Sequence, residues 1–96
     1  LKSAMVIKKV AAADVLLPAP TAPTFVASTG VVTIPTTANV AYYDQTNDPD
    51  FESELTAGAQ SAIDAGTSVT IVAVADTNYY FGTSVEDDWT FTRDPA

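Results

Sequence analysis

Short runs of β-branched and aromatic residues recur along this chain, each closed by turn-forming residues. Val31-Val32-Thr33-Ile34 is β-branched throughout, follows Gly30 and stops at Pro35, so it reads as a strand with a turn before it. Val40-Ala41-Tyr42-Tyr43 reads as a second strand, ending in the turn-rich run from Asp44 to Asp50. Ser53-Glu54-Leu55-Thr56, bounded by Gly58, is expected as a third. Ser68 to Ala75 (SVTIVAVA) is the strongest strand pattern. Val69, Ile71, Ala73 and Ala75 share one face and Thr70, Val72 and Val74 the other. Both faces are apolar beyond Thr70, which marks a central strand. Tyr79-Tyr80-Phe81 is a short aromatic strand. In the last run Trp89, Phe91 and Arg93 alternate with Thr90 and Thr92, a half-buried pattern of period two. Burying Trp89 and Phe91 contributes several kcal/mol at ~25 cal/mol per Å². Ala57 to Ala65 reads as a connection with one apolar anchor, Ile63.

The first seventeen residues, LKSAMVIKKVAAADVLL, hold two apolar runs, Met5-Val6-Ile7 and Val15-Leu16-Leu17, compatible with strands. The Ala-rich stretch between them fits a short helix equally well. Pro18, Pro20 and Pro23 follow. Prolines so close together neither continue a helix nor join a ladder, so the segment is expected to be an extended linker or edge. The organisation read from this pattern is an N-terminal arm and Pro-rich linker over 1–23 and a domain over 24–96. Six or seven short strands, with turns about every eight to twelve residues, define an all-β fold. A β-sandwich of immunoglobulin-like arrangement, carrying an extended N-terminal arm, is the expected form.

Composition narrows the chemistry. The 96 residues contain no Cys and no His. That excludes thiol nucleophiles, disulfides, a Ser-His-Asp triad and zinc sites built from those ligands. The formal net charge is −8, and its distribution is uneven. The only basic residues are Lys2, Lys8, Lys9 and Arg93, while eleven carboxylates and no basic group lie between Val10 and Thr92. Such a body repels phosphate backbones and anionic lipid, so neither nucleic acid nor membrane is expected as a partner. No run reaches the ~18 apolar residues of a membrane-spanning helix, and Lys8 and Lys9 break the apolar stretch a signal peptide needs. The first residue is Leu rather than Met, as expected of a processed chain or a piece of a longer one.

Four groups of residues are candidates for chemistry or contact. Asp44, Asp48, Asp50 and Glu52 lie close together with Asn47 among them, as calcium ligands do. Their spacing does not match an EF-hand loop, and a solvated turn is the expected outcome. No metal, cofactor or catalytic residue is therefore assigned, and no enzyme activity is expected. Glu86-Asp87-Asp88 reads as charge guarding an edge strand. In the pairs Tyr42-Tyr43 and Tyr79-Tyr80 one ring of each is expected outside. This makes Tyr43 and Tyr79 candidate surface contacts, with a host-surface glycan as the ligand class. The arm residues Lys2, Met5, Val6, Ile7, Lys8, Lys9 and Val10 combine basic and apolar character. They are candidates for contact with a neighbouring subunit by strand addition or packing, or for a first strand of the same domain.

From Pro23 to Arg93 a series of motifs follows in order: Val31-Val32-Thr33-Ile34-Pro35, Ala57-Gly58-Ala59-Gln60, Ala65-Gly66-Thr67, Val69-Thr70-Ile71, Asn78-Tyr79-Tyr80-Phe81 and Asp88-Trp89-Thr90-Phe91-Thr92-Arg93. In this order they resemble the small Ig-like C-terminal domains of virion proteins from tailed phages of actinobacteria, found on capsid, head-decoration and tail-tube subunits. The glycine turn, strand and Tyr-Tyr-Phe portion is also similar to bacterial cell-surface repeat modules. The resemblance implies a structural role on the virion surface, on the phage head rather than the tail. The expected molecule is a capsid decoration protein present in many copies or as a homo-oligomer. Its expected partners are the major capsid protein or other virion subunits. The alternatives are the C-terminal domain of a tail-tube or major capsid subunit, and a cell-surface adhesion module.

Overall fold

The computed structural model describes residues 14–83 and 85–96. These residues fold as eight short strands in three small sheets, with no helix among them. The strands are β1 (Val15–Leu17), β2 (Thr24–Val26), β3 (Val31–Ile34), β4 (Val40–Asp44), β5 (Gly58–Ala59), β6 (Ser68–Ala75), β7 (Tyr79–Phe81) and β8 (Asp88–Thr92). The all-β class expected from the alternating pattern is therefore what the described residues adopt.

Two antiparallel three-stranded sheets, ordered β2-β3-β5 and β4-β6-β8, share one core. Val32 and Ile34 come from β3, Tyr42 from β4, and Val69, Ile71 and Ala73 from β6. Phe25, Leu55, Ile63, Trp89 and Phe91 pack against that cluster. β6 is the central strand anticipated from its two apolar faces, paired with β4 on one side and β8 on the other. Its register places Tyr42 opposite Ala73 and Trp89 opposite Ile71. Trp89 and Phe91 do face the core, and Phe91 stacks on Phe25 with ring centroids 5.1 Å apart.

The far face of β4 and β6 is also closed. Ala41, Phe51 and Val72 are buried but stand outside the central cluster. Tyr43 is the direct cross-strand partner of Val72 and stacks on Phe51 at 5.0 Å, 9° from parallel. The loop after β4 thus folds back over the sheet. Along the β6–β8 part of that face run paired hydroxyls, Ser68 with Thr92 at 2.7 Å and Thr70 with Thr90 at 2.9 Å.

Three local results differ from the sequence pattern. Ser53 to Thr56 forms no strand. The amides of Glu52 and Ser53 are taken by the Asp48 carboxylate, at 3.0 Å each, and only Leu55 bonds across to β4, its N–H donating to the Tyr42 carbonyl at 2.8 Å. Gly58–Ala59, expected within a connection, forms a two-residue strand against β3. The third is the partner of Val15–Leu17: the run read as compatible with a strand does form one, and it pairs in parallel with β7, Val15 with Tyr79, Leu16 with Tyr80, Leu17 with Phe81. The Pro-rich segment after it has no ladder bonds, but Pro20 and Pro23 are buried.

Candidate functional site

The acidic loop is built as a set of turns. The Asp44 carboxylate accepts from the Asn47 amide at 3.1 Å and from Asn47 Nδ2 at 2.8 Å. Asp48 caps two further amides as described. These carboxylates aim at donors within their own loop, three backbone amides and the Asn47 side chain, the short-range bonding that Asp favours in turns. Among the described residues no three His, Cys, Asp or Glu side chains group closely enough to hold a metal ion.

Tyr43 and Tyr79 sit on different strands, β4 and β7, and both are half-buried. One face of the Tyr43 ring is covered by Phe51. Burial raises the Tyr43 phenol above its ordinary value of 10.0, and the carboxylates of Glu54, Asp76 and Asp48 add to the rise. Tyr43 thus lies near three carboxylates. Of the arm, Lys2, Met5, Val6, Ile7, Lys8, Lys9 and Val10 lie outside the described residues.

Tyr42 is the residue that ties the Pro-rich segment down, a role no sequence signal marked. Its side chain is 2% exposed, and its hydroxyl donates to the Thr21 carbonyl at 2.6 Å. The Thr37 hydroxyl lies 2.9 Å from the Tyr42 hydroxyl oxygen. Burial raises the Tyr42 phenol above 10.0, partly offset by the Thr37 hydrogen bond. Because the folded-state value is raised, the neutral phenol stabilises the fold fully below pH 10. That contribution is lost as pH climbs from the unfolded value toward the folded one. Tyr43 acts in the same direction. Tyr42→Phe leaves the Thr21 carbonyl without its donor and is expected to cost about 1–3 kcal/mol. Urea midpoints measured below and above pH 10 are expected to fall for the parent and to fall less for Tyr42→Phe.

Arg93 holds the other end of the molecule. Its Nη1 donates to the Ile63 carbonyl at 2.7 Å, and its stem lies against Gly30. Around it, Arg93 N–H donates to the Thr67 carbonyl at 2.9 Å and Asp94 N–H to the Ala27 carbonyl at 3.0 Å. The end of β8 therefore binds the β2–β3 turn to the loop before β6.

Beside this clamp lies a half-open cleft of about 530 Å³, between the end of β4 and the segment from Gln60 to Val69. Val32, Ile63, Val69 and Ile71 supply its apolar wall, and Asp44, Asp64, Gln60 and Ser61 its polar rim. Gln60 Nε2 is already bound to the Thr56 and Gly58 carbonyls, at 2.7 and 2.9 Å. Among the described residues no basic side chain lines the cleft, and this lining favours an apolar ligand carrying positive charge over an anionic one. No local pattern announces it, because it forms where segments distant along the chain meet.

No known protein-family model matches this chain, and neither a curated protein nor a solved structure shows significant similarity to it.

Proposed function

We propose that the chain is a structural protein of a phage virion surface, a capsid decoration subunit with an Ig-like β-sandwich body. Its N-terminal arm fastens it to the major capsid protein or another virion subunit, and the acidic body faces solvent. The observation that carries this reading is the separation of charge. Residues 1–13 hold three lysines and no carboxylate, while all twelve carboxylates and one arginine lie in 14–96. An acidic body keeps crowded copies apart and soluble, and a basic, apolar arm has the character of a docking segment.

The use made of the body's polar groups also supports a scaffold. Asp44 and Tyr42 hold loops to β4, Asp48 holds its own loop together, and Arg93 ties the end of β8 to the loop at Ile63. The eight short strands in three small sheets fit the Ig-like expectation at the level of an all-β body.

Removing residues 1–10 tests the reading, because β1 begins at Val15 and keeps its pairing. Binding of the shortened chain to purified particles is expected to drop below detection while its far-ultraviolet circular dichroism is unchanged. Undiminished binding would rule out the arm as the fastening. The number of copies per particle then separates a decoration subunit from a domain of a tail-tube or major capsid subunit.

A further inference from the structure

Two of the six prolines follow an aspartate, at Asp48-Pro49 and Asp94-Pro95. Such a peptide bond is chemically weak in acid. Only Cβ and Cα separate an aspartyl carboxyl from its own main-chain carbonyl, so the carboxyl can close a five-membered ring there at high effective concentration. Before any other residue, the following amide nitrogen can attack the side chain instead and leave the chain intact. Proline has no N–H, so that diversion is closed, and its protonated nitrogen is a ready leaving group.

The fold treats the two bonds differently. At Asp48 both carboxylate oxygens are occupied, Oδ1 by the Glu52 amide and Oδ2 by the Ser53 amide, each at 3.0 Å. The same loop is pinned by Phe51, buried and stacked on Tyr43. Attack by Asp48 therefore requires both hydrogen bonds to break and the loop to open. Asp94 is held the other way round. Its N–H donates to the Ala27 carbonyl at 3.0 Å, and its carbonyl accepts from the Gly66 N–H at 3.2 Å, a donor shared with the Arg93 carbonyl. Its side chain and Pro95 are exposed. Among the described residues the Asp94 carboxylate has no hydrogen-bond or ion-pair partner. The Gly66 N–H is directed at the oxygen on which negative charge gathers during attack, the placement of an oxyanion donor.

We propose that Asp94–Pro95 is a self-cleavage site of the folded chain in mild acid, and that the fold shields the chemically equivalent Asp48–Pro49 bond. The Asp94 carboxyl oxygen bonds to the main-chain carbonyl carbon, and the C–N bond to Pro95 breaks. The carboxyl proton passes to the proline nitrogen, which leaves as a secondary amine. One water then opens the cyclic anhydride, and Asp94 ends with two free carboxyls. All eight strands precede this bond, so the body stays whole and the segment after Asp94 is shed. Cleavage after Asp48 would instead cut the loop that covers the sheet.

This inference is independent of the arm and of the virion assignment. The test follows intact mass in the full chain at the lowest pH at which circular dichroism shows the strands retained. A parallel sample in concentrated guanidinium at the same pH sets the duration, ending when half of that denatured chain is cut. In the folded chain, loss of Pro95-Ala96 is expected to be at least about tenfold faster than cleavage after Asp48, the factor that one hydrogen bond to a carboxylate carries. In guanidinium the two bonds are expected to break at similar rates. Asp94→Glu keeps the charge at an exposed position but requires a six-membered ring, and is expected to slow the loss about tenfold. Equal rates at the two bonds of the folded chain, or faster cleavage after Asp48, overturn the proposal. So does a folded chain that stays uncut at Asp94 throughout. Unchanged loss from Asp94→Glu would show that water rather than the side chain breaks the bond, and overturns it as well.

Discussion

Gly30→Ala is expected to lower the melting temperature by roughly 10–25 °C, the range that about 3 kcal/mol produces in a domain of this size. Two separate strains add. Gly30 has φ +77°, where a side chain costs about 1–2 kcal/mol. A Cβ there would stand 2.5 Å from Arg93 Cδ and 2.8 Å from the Ile63 carbonyl oxygen. Overlap of that kind in a packed site costs typically about 1–3 kcal/mol. The carbonyl cannot retreat freely, because it accepts the Arg93 guanidinium. Arg93→Ala alone removes that hydrogen bond and is itself destabilising. Combined with Gly30→Ala it also removes the closest overlap, so the double variant is expected to lose less than the sum of the two. Thermal melts of the four proteins in this cycle provide the check, and strict additivity would show that the two residues do not collide.

Phe51→Ala is the second large effect. Truncating a buried phenylalanine costs about 3–5 kcal/mol, a large share of the margin of about 5–15 kcal/mol that a domain holds. Phe51 is 6% exposed, stacks on Tyr43 and adopts φ +55°. That backbone angle makes the outcome specific. Alanine keeps the strain of the left-handed region, whereas glycine relieves about 1 kcal/mol of it. Phe51→Gly is therefore expected to be no less stable than Phe51→Ala in urea, although it has the smaller side chain. Both variants are expected to expose the loop from Gln45 to Thr56 to proteolysis ahead of the core strands. A clear advantage for alanine would show that the backbone at residue 51 is unstrained.

The strands most visible in the sequence are those whose side chains are β-branched or aromatic on consecutive positions. Val31–Ile34 and Tyr79–Phe81 fall where the pattern puts them, and the strand at Val40 and the one at Trp89 differ by a residue at their ends. Gly58–Ala59 has no strand propensity of its own and is held by pairing with Thr33 and Ile34. Thr24–Val26 is a short run behind Pro23 and gains its place from β3. Ser53–Thr56 shows the reverse case. Leu55 is apolar because it packs on the core from a loop, and one anchor imitates a strand when read along a sequence. The parallel pairing of β1 with β7 joins residues more than sixty positions apart in the chain, and no local pattern encodes such a partner. The tyrosines divide in the same way. Alternation foretells that one of Tyr42 and Tyr43 is inward, but not that the inner hydroxyl fixes the Thr21 carbonyl or that the outer ring is capped by Phe51. The clamp at Arg93 and the cleft beside it depend on loops brought together from three parts of the chain, so composition and spacing carry no trace of them.

The parallel ladder between β1 and β7 also decides what happens when the molecule is pulled. Any tension on the arm enters the body at Val15 and is borne first by a three-residue strand. Once that strand peels away, Pro18 and Ala19 follow, and the load arrives at the buried Pro20 and the Thr21–Tyr42 bond. The six residues from Val15 up to Thr21 released this way lengthen the tether by at most roughly 20 Å before β4 is loaded through Tyr42. In the fastening proposed for the arm, this short ladder is the first element to yield, in series with the rest of the fold.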